Sequence, residues 1–321
     1  MTRRRTLAAL VATIVALFAL TLMLGQSFTP PGEVLRVLLG QTNSFTVSGL
    51  RLPRAVLSVL AGVSFGLGGV AFQTMLRNPL ASPDIVGISS GASAAAVFAI
   101  VVLGWSGPGV AVLAVAAGLA AALAIHLLSG GGGARLVLIG IGVSAMLQSV
   151  IAWVLTRAPA WSLQEAMRWL TGSVNGARMD QAAPLLAALV LFGGALLACG
   201  RDIEALRLGD DTAAALGTDV ARTRVMVILC AVGLIAVATA VTGPIAFVAF
   251  LSGPIAARIV GPGGSLLLPA ALVGAVLVLA GDYAGQFLFP TRYPVGVITG
   301  ALGAPYLIWL IVRVNRSGGS L

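Results

Sequence analysis

Side chains able to do covalent chemistry are few in this sequence, and they stand apart. His126 is the only histidine and falls at the end of an apolar run, while Cys199 and Cys230 lie in or beside apolar runs with no metal-type spacing. A hydrolytic or redox centre needs titratable groups close enough to share a proton or a metal ion. No catalytic residue, metal site or cofactor is therefore expected, and the two cysteines read as small packing residues. All 19 basic residues are arginine; lysine is absent. A Walker A loop needs its lysine to reach the nucleotide phosphates, so the chain itself cannot hold such a site. The net charge of +9 does not argue for nucleic acid, because the arginines are scattered between apolar runs rather than gathered on one face.

Three polar groupings remain. The first is RNPLASPDIVGISSGAS, residues 77–93. Pro79 and Pro83 remove backbone donors and end the preceding helix. Ser89, Ser90, Gly91 and Ser93 then open the next span with residues small enough either for close helix contact or for lining a wet passage. The second is RLPR, with Arg51 and Arg54 at the start of a span. The third is Asp282, a carboxylate inside an apolar run; it suits proton coupling or, as the preferred reading, a packing hydrogen bond near the interface.

The elements that must position these groups follow from hydropathy. With 59% hydrophobic residues, only 9% charged and a mean hydropathy of +1.05, the chain falls far below the roughly 25% charge of a soluble domain. Ten apolar segments near the ~20 residues needed to cross hydrocarbon are expected at 7–26, 55–76, 86–104, 109–128, 135–156, 183–200, 223–242, 245–260, 266–287 and 295–313. The first follows Arg3, Arg4 and Arg5 and reads as a retained span rather than a cleaved leader. The positive-inside rule then puts both termini in the cytoplasm, with Arg77, Arg135, Arg201, Arg207, Arg222, Arg224 and Arg258 on the same side and Arg36, Arg51, Arg54, Arg157, Arg168, Arg178 and Arg292 outside. Two polar segments interrupt the spans: 157–181, with a short amphipathic helix at the outer interface, and 201–222, inside, with a turn at Gly209 and a helix ending at Gly217.

Residues 68–81 align without gaps on 243–256, sharing Gly68/Gly243, Phe72/Phe247 and Pro79/Pro254. Five crossings separate the copies, so they are expected upside down relative to each other, as in many transporters. The many glycines inside spans, as in GVSFGLGG and GVITGALGAP, suit tight packing first and exposure to a path second.

At this point the sequence resembles the FecCD/BtuC-type permeases, membrane subunits of ABC importers for iron–siderophores, haem and vitamin B12. The resemblance rests on RLPRAVLSVLAG (51–62), residues 77–93, ALRLGDDTAAALG (205–217), GPIAFVAFLSGPIAARIVG (243–261) and YPVGVITGALGAPYLIWLIVR (293–313). It implies an all-α polytopic protein of about ten transmembrane helices with an internal inverted repeat, a type II importer permease in one domain over 1–321. It also implies a second copy or a paralogue as permease partner, separate cytoplasmic ATPase subunits and an extracytoplasmic binding protein, in a cytoplasmic membrane.

Carried over by the resemblance, Leu206, Leu208, Gly209, Asp210, Asp211, Ala213, Leu216 and Gly217 form the coupling segment that docks on the ATPase. Arg51 and Arg54 match arginines that face the binding protein, although helix-start anchoring is an alternative for both. A third docking arginine aligns with Gln286, with Arg292 nearby as a substitute. Ser89, Ser90, Gly91, Ser93, Gly253, Pro254, Gly300 and Gly303 are candidates for the translocation path or its packing. The implied cargo is a ferric siderophore of catecholate or mixed-ligand kind, with haem and vitamin B12 open because Gly253–Pro254 departs from the Pro-His or Pro-Gln of many members. A stand-alone secondary transporter and a polytopic membrane enzyme are the readings from other classes; the first has no need of a docking segment at 201–222, and the second needs clustered titratable residues.

Overall fold

The computed structural model describes residues 3–79, 81, 87–129, 133–261 and 263–316. Pro83 and the opening of the expected third span at 86 lie outside them. In chain order the helices are α1 (Arg3–Met23), α2 (Pro31–Leu38), α3 (Leu52–Leu76), α4 (Ile88–Val101), α5 (Pro108–Ser129), α6 (Gly133–Leu155), α7 (Ala160–Leu170), α8 (Ala182–Ala188), α9 (Gly194–Ala198), α10 (Gly200–Leu206), α11 (Asp210–Ala215), α12 (Val220–Thr242), α13 (Val248–Val260), α14 (Leu267–Phe287) and α15 (Val295–Arg316). No strand occurs among the described residues. Among the described residues seven helical segments are long and apolar enough to cross a membrane, and three shorter apolar ones accompany them. Together they fall on the ten apolar segments of the sequence.

The differences from expectation have local causes. A π-helical stretch, Phe45–Arg51, runs into α3, so this span is 32 residues long and carries Arg51 and Arg54 on helix rather than loop. The sixth span is not one helix: a π-turn at Leu189–Gly193 separates α8 from α9. The eighth begins only at Val248, because Gly243 leaves α12 with a φ of +70° and Pro244 cannot donate a backbone hydrogen bond. The amphipathic segment shrinks to α7, which packs on α4 through buried Ala166. The polar stretch at 201–222 holds two short helices, α10 and α11, instead of one.

α3 is the axis of the subunit. Its span is 78% buried, against 17% for α1 and for α6. Within a bilayer, helices associate by close packing and not by escaping water, so small residues carry the contact. A Cβ at Gly62 would sit 2.4 Å from the Gly274 carbonyl oxygen of α14, one at Gly66 2.3 Å from that of Ala270, and one at Gly69 2.0 Å from that of Ala249 in α13. The GVSFGLGG run thus lets backbones of α14 and α13 touch α3 on different faces, while Phe65 and Phe72 fill the core between them.

The repeat is visible in the elements. Helices α3 to α6 have 25, 14, 22 and 23 residues, and α12 to α15 have 23, 13, 21 and 22. The partnerships match as well: α3 packs on α14 and α12 on α5. The gapless residue pairing is out of register with this, since 68–76 close α3 whereas their partners 243–251 run from the α12–α13 turn into the start of α13.

Candidate functional site

The α10–α11 hairpin is rooted by apolar side chains and shaped by two glycines. Ile203, Leu206 and Ala213 are buried in the core cluster shared with α3, α12 and α14. Gly209, with φ +103°, turns the chain between the helices. At the end of α11 the Gly217 amide donates to the Ala214 carbonyl and the Thr218 amide to that of Ala213, with Gly217 at φ +90°. This is the paired bonding of a Schellman cap, which needs a left-handed residue. Asp219 then caps α12 by accepting the Arg222 amide at 3.0 Å.

What remains outside is an apolar pair in a frame of mixed charge. Leu208 and Leu216 are 61% and 65% exposed, Asp211 and Gly217 are exposed, and so are Arg201, Arg207 and Arg222. Asp210 is held by Arg224, whose Nη2 lies 2.9 and 2.8 Å from its two oxygens, and by Arg77 at 3.4 Å. The eight residues of the segment therefore divide: Leu206 and Ala213 anchor, Gly209 and Gly217 shape, Asp210 is clamped, and Leu208, Asp211 and Leu216 face outward.

About 38 Å away along the 25 residues of α3, the RLPR arginines point into the protein. Arg51 is 9% exposed. Its Nη1 donates to the Leu22 carbonyl (2.8 Å), the Met23 carbonyl (3.1 Å) and Thr29 Oγ1 (3.0 Å), and its Nη2 to the Ser27 carbonyl (2.7 Å). Gly25 leaves the space, since a Cβ there would meet Nη2 at 2.7 Å. Arg54 makes a bidentate pair with Asp282 of α14, Nη2 to Oδ1 at 2.6 Å and Nε to Oδ2; Asp282 is 2% exposed. Gln286 is buried and donates to Asn175 Oδ1 at 3.0 Å. Within this chain both arginines are held by intramolecular partners, as helix-start anchors would be. Arg292 is the exposed one of the three, and Asp282 takes the packing role.

The small residues named as path or packing candidates close contacts inside the subunit. Ser89, Ser90 and Ser93 are buried on α4, and a Cβ at Gly91 would meet the Ala121 Cβ of α5 at 2.7 Å. Pro254 leaves the Phe250 carbonyl without its helical donor. Gln73 of α3 supplies one, Nε2 to the Phe250 carbonyl at 2.9 Å. Gly253 makes room for that amide, a Cβ there lying 2.0 Å from Gln73 Oε1. Gly303 likewise admits the ring of Phe247, a residue at φ +64°. Only Gly300 has open space, its nearest neighbour being Ala246 Cβ at 3.8 Å.

Sequence reasoning passed over three features. Gln73 is one; the signal was a glutamine inside a span opposite an interior proline. Gln148 and Ser149 are exposed on α6, an otherwise apolar crossing, and polar groups at such depth face water or protein. The third is a recess of about 640 Å³ where α7, the start of α5 and the end of α12 meet, with Trp161, Glu165, Arg168, Trp169, Arg178 and Asp180 in its wall. It lies at the opposite end of α12 from the hairpin. Among the described residues no three His, Cys, Asp or Glu side chains group as a metal site.

Ten apolar crossings, a doubled helix order and a polar hairpin rooted in the central spans define a membrane permease, and the chain belongs to the FecCD transport family, whose profile matches residues 13–313. It is similar to the ferric enterobactin transport system permease protein FepG of Escherichia coli (strain K12), at 40% identity over 294 residues and 88% of both chains. The achromobactin transport system permease protein CbrC of Dickeya dadantii (strain 3937) is 39% identical over 310 residues, covering 94% of this chain and 89% of that one. A solved structure described as a metal-chelate type ABC transporter in an inward-facing conformation superposes with a TM-score of 0.85 at 25% identity, over 97% of this chain and all of the other.

Proposed function

We propose that this chain is the membrane permease of an ABC importer that carries a ferric siderophore across the cytoplasmic membrane, driven by a separate ATPase. The observation that carries the reading is the α10–α11 hairpin, where Leu208 and Leu216 stand exposed among charged residues of both signs while Leu206 and Ala213 sit in the core of α3 and α12. An exposed apolar pair on a firmly rooted polar element is a surface for a protein partner. Family membership and the cargo in the relatives' names, ferric enterobactin and achromobactin, support both the class and the substrate.

In this mechanism the chain does no bond chemistry. ATP draws two ATPase subunits together, the hairpins of two paired permeases move with them, and the central spans tilt to open a path at one face and close it at the other. The path runs between the copies along α6 and α15, where exposed Gln148 and Ser149 and half-buried Gly300 lie. The recess with Trp161 and Trp169 and the exposed Arg292 lie on the outer face, where a cargo-loaded binding protein docks. Both termini and the hairpin lie in the cytoplasm, an orientation that the arginine distribution supports.

Reconstitution tests this directly. Vesicles holding the permease, its ATPase and its binding protein take up ferric siderophore only with ATP inside, and Leu208→Asp with Leu216→Asp abolishes co-purification of the ATPase while the permease still elutes as a folded species. Uptake by the permease alone, or full ATPase binding by the double variant, overturns the reading.

A further inference from the structure

We propose that Asp210 is the mechanical clamp through which movement of the α10–α11 hairpin reaches the membrane spans, with Arg77 and Arg224 as its two jaws. The idea rests on the hairpin being the element that meets the ATPase. Three helices converge on this one carboxylate. Arg224, in the first turns of α12, donates to both oxygens, at 2.9 and 2.8 Å. Arg77, the residue just past α3, reaches Oδ1 at 3.4 Å. Because α3 is the most buried span and α12 packs along it, the carboxylate ties the hairpin to the axis of the subunit.

The backbone at Arg77 supplies an independent observation. α3 ends in a Schellman cap: the Arg77 amide donates to the Thr74 carbonyl and the Asn78 amide to that of Gln73, each at 3.1 Å. The residue at this position must be left-handed, and Arg77 is, with φ 52° and ψ 34°. Glycine usually takes the place, because a Cβ is strained there. The hairpin itself obeys that rule at the end of α11, with Gly217 at φ +90°. An arginine in this conformation gains something no glycine offers, a cationic side chain aimed at the hairpin. Its Nη1 lies in ordinary contact distance of Gly209, 3.4 Å from where a Cβ would stand.

Magnitudes indicate what the cluster is for. The side chains of Arg77, Asp210 and Arg224 are 45%, 40% and 29% exposed, and exposed ion pairs of this kind add little to stability. Hydrophobic anchoring by Leu206 and Ala213 holds the hairpin against the bundle but is non-directional, so the surfaces can slide. Charge-assisted hydrogen bonds from two sides are directional and resist sliding. The clamp therefore serves transmission of movement more than retention of the hairpin.

The test uses the complete importer in vesicles and compares Arg77→Gly, Arg224→Gln and the double variant with the parent. Arg77→Gly removes the backbone strain, so it folds. Assembly with the ATPase and ATP hydrolysis are expected to persist, while siderophore transported per ATP falls by about tenfold in the double variant. Arg224→Lys, which keeps a cation facing Asp210, retains most of the parent's ratio. Parent-like transport per ATP in the double variant overturns the clamp and leaves the proposed function standing. Loss of ATPase assembly in these variants also overturns it, because the cluster then belongs to the docking surface. Transport without any ATPase is a different result, and it sinks the proposed function instead.

Discussion

Single side chains in this protein are decided by what the bilayer does to an unpaired polar group. Asp282 lies in the interior of a crossing with Arg54 as its bidentate partner. Removing one member of such a pair strands the other, at about 3–5 kcal/mol. Asp282→Asn is thus expected to lower the melting temperature of the purified permease sharply, and Asp282→Asn with Arg54→Leu to recover part of the loss. An unchanged melting profile for Asp282→Asn would show that the pair holds nothing together. Gln73 answers the Phe250 carbonyl freed by Pro254. Gln73→Leu leaves that carbonyl bare, at about 1–3 kcal/mol, whereas the same change made together with Pro254→Ala restores a helical donor and costs less. A thermal-shift comparison of the two variants reads the difference.

At the scale of elements, glycine means different things on different helices. On α3 and α14 it is the contact itself: Gly62 and Gly274 each face the other's backbone, with Cβ-to-oxygen distances of 2.4 and 2.1 Å. Backbone cannot rotate aside as a side chain can, so Gly274→Val is expected to part the two helices and abolish recovery of a monodisperse protein. On α6, Gly142 has nothing within 4 Å. Gly142→Ala should leave the melting temperature unchanged or raise it slightly, since alanine is the better helix former by about 0.5–1 kcal/mol. Equal damage from both substitutions would mean that glycine acts here through propensity and not through packing. Irregular backbone follows a similar logic: Gly243 and Gly172 abut at the end of α12, where the Ser173 amide donates to the Thr242 carbonyl at 2.6 Å. Non-helical chain at membrane depth persists because protein covers it.

For the whole molecule, the two ends of α3 are chemically unlike. One holds the arginines that bolt α1 and α14 to it, and the other holds the clamp on the hairpin. In a background with Cys199 and Cys230 replaced by alanine, Leu208→Cys and Arg292→Cys are expected to react with a membrane-impermeant thiol reagent from opposite sides of the membrane, the former from the cytoplasm. Labelling of both from one side would overturn the orientation and with it the coupling role. Gln148→Cys, on the exposed face of α6, is expected to react with a small aqueous thiol reagent despite its depth. Silence there would mean lipid or a tightly packed second copy, not a wet path, covers that face.

Composition and hydropathy alone established an all-helical membrane protein of about ten crossings, because transfer into hydrocarbon is set residue by residue along about 20 positions at a time. The turn at Gly209 and the cap at Gly217 were also legible, since each depends on near neighbours in the chain, whereas the repeat seen in the residues pairs the end of α3 with 243–256 and the helix order pairs α3 with α12. Which way a given polar side chain faces was not legible. Arg51 and Arg54 carry the signature of a charged outer rim and yet spend their donors on the 22–29 loop and on Asp282, 228 residues further along. Serines and glycines suited to lining a passage are buried against neighbouring helices. Those outcomes depend on which helix lies beside which, and only the packed tertiary structure, by joining residues far apart in the chain, decides that.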